Sequence, residues 1–129
     1  MANAKENIPS VVNQIKKIGG EKIKFVILYG STVEGKQTPL SDVDIAVYYE
    51  GTKEERFKFR MEVLGNVNDK FDIQIFQDLP LYIRKEIISQ GKILYQKNHS
   101  EIFDVFIKTI KSFGDFKPRL DIYYSGLEV

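Results

Sequence analysis

The sequence predicts an α+β (mixed α/β) domain, a small mixed β-sheet with helices packed on one face. Three observations predict it. Apolar runs of strand length, Lys22–Tyr29 and Val43–Val47, flank a polar, glycine-containing stretch. A third such run, Phe71–Phe76, follows a helix-length segment. The segments around the strands carry apolar residues at helical spacing. With 129 residues the chain has room for one core. It reads as a single domain over 1–129, with a core of about 8–96 and a C-terminal helical segment of about 100–124.

In chain order, Ile8, Val11, Val12, Ile15 and Ile18 share one helical stripe. Asn7 can cap it, Pro9 suits its first turn and Gly19-Gly20 ends it. Lys16, Lys17, Lys22 and Lys24 read as a solvated surface. The Lys22–Tyr29 strand stops at Gly30, and the second strand follows Ser41-Asp42. Glu50-Gly51 turns the chain, and Thr52-x-x-Glu55 reads as the capping box of a helix stopped by Gly65, its buried stripe expected at Phe57, Met61 and Leu64. A polar link, Asn66 to Lys70, leads into Phe71–Phe76, giving the strand-helix-strand pattern of a right-handed crossover or its mixed-sheet relative. Asp78 and Pro80 announce a helix with Ile83, Ile87 and Ile88 inward and Gly91 at its end. Lys92–Gln96 reads as an edge strand. Ser100 is expected to cap a last helix carrying Phe103, Phe106, Ile107, Ile110 and Phe113. Beyond Gly114 and Pro118, the Leu120, Ile122, Tyr123 and Tyr124 segment reads as a further helical turn folded on the sheet, with a docking surface as the alternative.

Composition narrows the function. A chain with 43% hydrophobic and 29% charged residues and a net charge of +1 is an ordinary globular protein without the field that attracts a long polynucleotide. The lack of cysteine excludes a disulfide framework, a thiolate metal site and a cysteine nucleophile. His99, the single histidine, reads as a surface-turn residue. No signal peptide or membrane-spanning run is visible, so a cytoplasmic location is expected.

The chemistry gathers around Gly30 and three acids. Glycine lets a backbone approach a ligand closely, and Ser31 offers a hydroxyl and an N–H to phosphate oxygens. Asp42 and Asp44, two apart in a strand, share one face while Val43, Ile45 and Val47 take the other. Adjacent carboxylates repel and lose hydration when partly buried, so the fold tolerates them best around a cation. Their hard oxygens suit magnesium, which is usually shared with substrate phosphates. Alone, the pair also reads as a Ser41-Asp42 turn cap beside a solvated Asp44. Asp72 decides for a site: it stands opposite Ile73 and Ile75 on its own strand. If the two strands are neighbours, three acids converge in a set that can hold the paired cations of an in-line nucleotidyl displacement.

Gly30-Ser31, Gly35, Ser41-Asp42-x-Asp44 and the later Asp72 together resemble the signature of the DNA polymerase β-type nucleotidyltransferase superfamily, in its minimal nucleotidyltransferase (MNT) branch, from Ile8 to Gln96. The resemblance implies the fold of that superfamily and a nucleoside triphosphate substrate, ATP foremost, contacted by Gly30, Ser31 and Ser41. It implies two Mg2+ ions on Asp42 and Asp44, with Asp72 completing the metal site and helping to deprotonate the acceptor. It further implies transfer of a nucleoside monophosphate, AMP from ATP, to a hydroxyl. Minimal nucleotidyltransferases are often the antitoxin partner of a helical HEPN-domain toxin whose tyrosine they adenylylate, so a hetero- or homo-oligomer is expected. The alternatives are a catalytically weak binding module that neutralises a partner protein, and a sugar- or antibiotic-modifying transferase, which generally has an additional substrate domain. Family members often carry basic residues between the serine and the second glycine. This chain has Thr32, Val33 and Glu34 there, and a glutamate beside a triphosphate is unfavourable.

Overall fold

The computed structural model describes residues 7–30 and 42–112. Helix α1 spans Ile8–Gly19. Asn7 accepts the Ser10 N–H at 3.0 Å and Ser10 Oγ accepts the Asn7 N–H at 3.1 Å, a capping box with Pro9 in the first turn. A short 3-10 turn, Gly20–Lys22, leads into β1 (Ile23–Tyr29). Then come β2 (Val43–Tyr49), α2 (Lys53–Leu64), β3 (Phe71–Ile75), a 3-10 turn at Phe76–Asp78, α3 (Leu81–Gln90), β4 (Lys92–Gln96) and α4 (His99–Lys111). The sheet order is β3-β2-β1-β4. β1 is antiparallel to both neighbours, whereas β2 and β3 are parallel, as the intervening α2 crossover allows.

Strand alternation divides the core in two. Val26, Leu28, Ile45, Val47 and Ile73 pack with Val11 and Ile15 of α1 and Phe59 and Val63 of α2. On the other side, Phe25, Ile27 and Ala46 pack with Ile87 and Ile88 of α3 and Ile102, Phe106 and Ile110 of α4. The mixed α+β architecture is the expected one. The difference is that helices cover both faces of the sheet, not one. β1 explains it: Ile23, Phe25, Val26, Ile27 and Leu28 are all buried, and a strand apolar on both sides needs cover on both.

Three local expectations also shift. The α2 capping box forms as read, with Glu55 N–H on Thr52 Oγ1 at 3.1 Å, but the buried stripe is Phe59 and Val63, leaving Phe57 59% and Met61 41% exposed. Two arginines rotate the helix: Arg56 forks onto Asp78 at 2.7 and 3.1 Å, and Arg60 Nε donates to the Ile73 carbonyl at 2.7 Å. Phe59 then stacks on Tyr49, ring centroids 4.3 Å apart, and Phe57 and Met61 turn outward. The cap of α4 is Asn98 rather than Ser100, because Asn98 Oδ1 reaches the Glu101 N–H at 2.9 Å. Lys24 is not a solvated surface residue. It lies between Glu50 and Glu101, and the Glu101 hydrogen bond raises its pKa despite desolvation. His99 opens α4 and stacks on Phe103. No described helix is long and apolar enough to cross a membrane.

Candidate active site

β1 ends where β2 and β3 begin, so three strand termini meet at one end of the sheet. Register sets what meets there: Tyr29 pairs with Asp44, and Asp44 pairs with Asp72. All three fall on the face that carries Ala46 and Tyr48, whereas Val43, Ile45 and Ile73 go to the other core. Asp42 stands exposed immediately before β2. Asp44 and Asp72 are half-buried, so both retain access to solvent.

The electrostatics follow from this crowding. Burial pushes the Asp44 carboxyl from its ordinary value up to about 6, and the charges of Asp72 and Asp42 add to the rise. When protonated, Asp44 can donate to Asp72, and Glu86 of α3 adds a weaker repulsion. Burial also raises the Tyr29 hydroxyl pKa, helped by Asp44 and Asp72, so Tyr29 stays a neutral donor. Arg60 opposes that rise, which makes it a cation whose field reaches the Tyr29 hydroxyl.

Gly30 is a structural requirement of this site. Its φ of 80° favours glycine, and a Cβ there would run into Asp44 Oδ2. The cradle beneath the carboxylate therefore exists only because residue 30 has no side chain.

The donor set fits a hard divalent cation. Asp44 and Asp72 are oxygen donors held side by side, and a cation between them would offset the crowding that raises the Asp44 pKa. Among the described residues no three such groups stand close enough to form a ready-made cage. Magnesium does not need one, since it binds through one or two carboxylates plus substrate phosphates and water.

Of the residues singled out in the sequence, Gly30, Asp42, Asp44 and Asp72 lie together at this end of the sheet. Ser31, Glu34, Gly35 and Ser41 lie outside the described residues, as does the aromatic segment from Phe113 on. Sequence reasoning missed Tyr29, Arg60, Gln74 and Glu86. Tyr29, adjoining the glycine, and Gln74, two residues after Asp72 on one strand, gave local signals; Arg60 and Glu86 gave none.

A fold of this order with acids at the β2 and β3 starts defines a class, and comparison agrees with it. The chain matches the family described as "Polymerase beta, Nucleotidyltransferase" over residues 13–100 and belongs to that family. It is a nucleotidyltransferase. A Methanocaldococcus jannaschii protein, named as a putative protein adenylyltransferase, is 34% identical over 99 residues, covering 77% of this chain and 76% of its own. Among solved structures, a chain of a toxin-antitoxin complex with AMP-PNP matches with a TM-score of 0.63 at 20% identity, over 81% of this chain and 86% of that one. A chain from the complex of a tri-AMPylated Shewanella oneidensis HEPN toxin with its MNT antitoxin matches with a TM-score of 0.56 at 20% identity, over 82% and 86%. These two likenesses show the shared fold.

Proposed function

We propose that this nucleotidyltransferase transfers AMP from ATP to a hydroxyl of a partner protein, a tyrosine of a helical HEPN-type toxin that it thereby neutralises. The observation that carries the reading is the register that sets Asp44 against Asp72 beside the Gly30 cradle. The adenylyltransferase name of the archaeal relative and the AMPylated toxin in the Shewanella complex support a protein acceptor.

In the transfer, the acceptor oxygen attacks the α-phosphorus of ATP as pyrophosphate leaves, and Asp72 accepts the acceptor's proton. Gly30, Ser31 and Ser41 would contact the phosphates, through close backbone approach at the glycine and hydrogen bonds from the serines. Asp42, Asp44 and Asp72 would hold two magnesium ions, which when bound offset charge on the α-phosphate and on the leaving pyrophosphate. Tyr29, kept neutral, can donate a hydrogen bond toward the same space. The acids are open to solvent at the strand ends, so an acceptor can enter from outside.

The test is incubation with magnesium, ATP labelled at the α-phosphate and a candidate HEPN-type partner protein. Label should pass to the partner and fail to pass when magnesium is chelated. Tight complex formation without label under any condition would contradict transfer and favour the binding module.

A further inference from the structure

Gln74 follows Asp72 by two residues on the same face of β3, and its Nε2 donates to Asp72 Oδ1 at 3.0 Å. Gln74 is half-buried on an edge strand, where a polar side chain is ordinary, but its amide is turned toward the acid. Its register partner on β2 is Ala46, which is wholly buried in the apolar cluster beneath α3 and α4. Gln74 therefore stands at the rim of that cluster with its amide on the Asp72 carboxylate.

The strand behind Gln74 is braced as well. β3 is an edge of the sheet, so its outer side has no ladder partner among the described strands. Arg60 supplies one by donating to the carbonyl of Ile73, the residue between Asp72 and Gln74. Arg60 and Gln74 also line one cavity of about 230 Å3, with Phe57 and Ile75.

We propose that Gln74 is a positioning residue for Asp72: its amide fixes the carboxylate in the orientation that receives the metal–nucleotide complex, and Arg60 steadies the strand from its outer edge. An amide donor on one oxygen leaves the carboxylate's other lone pairs for a cation or the acceptor proton. Carboxylates that bind metals are generally held in this way, and losing such a partner typically weakens affinity by roughly 10–100-fold. The inference rests on the reading of Asp72 as a member of the site.

Calorimetric titration with Mn2+ and α,β-methylene-ATP, whose α–β bridge cannot break, tests both levels. Gln74→Met keeps length and removes the donor, and should weaken binding by about 10-fold. Gln74→Glu should weaken it further, because it sets a like charge on Asp72. Asp72→Asn should also weaken binding, and adding Gln74→Met to Asp72→Asn should cost nothing more, since the two act through one carboxylate. A packing role for Gln74 would instead lower metal-free stability and add to the Asp72 effect. Unchanged affinity in Gln74→Met while Asp72→Asn binds weakly, or full additivity in the double variant, would overturn the proposal. Parent-like binding by Asp72→Asn would overturn the site reading together with it.

Discussion

Asp44→Asn should stabilise the metal-free protein at neutral pH while removing its ability to bind magnesium and nucleotide. The Asp44 carboxyl titrates at about 6 in the fold and near 3.8 when unfolded, with burial the largest cause and the charges of Asp72 and Asp42 next. A raised carboxyl pKa means that ionisation opposes folding. The penalty is absent below the unfolded value, grows as pH rises between the two values and is complete above about 6. The full shift is equivalent to about 3 kcal/mol. Asp44 is only half-buried and solvent screens its neighbours, so we expect roughly 1–2 kcal/mol. Asparagine keeps the shape and loses the charge. Urea unfolding in chelator, for parent and variant at about pH 3 and 7.5 on either side of this window, reads the effect as a difference of differences. The variant should gain on the parent at the higher pH by that amount and be close to it at the lower. Added magnesium and nucleotide should then stabilise the parent alone. A parent–variant difference that does not change with pH would refute the crowding of Asp44.

Three other outcomes follow from the geometry or the sequence. Gly30→Ala should destabilise the fold by about 1–3 kcal/mol in urea unfolding, because of its positive φ and its collision with Asp44, and should weaken nucleotide binding in calorimetry. Phe57→Ser and Met61→Ser should stay within about 0.5 kcal/mol of the parent, whereas Phe59→Ala should cost about 3–5 kcal/mol; the reverse order would restore the stripe expected from the sequence. Glu34→Arg should tighten nucleotide binding by about 1 kcal/mol if residue 34 faces the triphosphate, and an unchanged dissociation constant would place it elsewhere.

These expectations separate what local sequence determines from what it does not. The caps at Asn7 and Thr52 were legible because both partners of each box lie within four residues. The strands were legible as apolar runs, and Asp44 and Asp72 as acids that interrupt them. The orientation of α2 was not, because it is set by Arg56 on Asp78 and Arg60 on Ile73, contacts that span 22 and 13 residues. Two-sided cover of the sheet was signalled by β1, but which helix lies on which face depends on how the strands are ordered. Gln74 was legible in principle, two residues from Asp72 on one strand, whereas Arg60 and Glu86 come to this end of the sheet through helix packing, which no spacing in the sequence displays.

Nucleotide transfer to a partner protein by the acids at the β2 and β3 starts is the proposed activity. Its most direct measurement compares parent and Asp72→Asn for transfer of α-phosphate label from ATP to the HEPN-type partner, with complex formation followed in the same samples. Labelled partner is expected with the parent, none with the variant, and an intact complex with both. Label transferred equally by the Asp72 variant would contradict it.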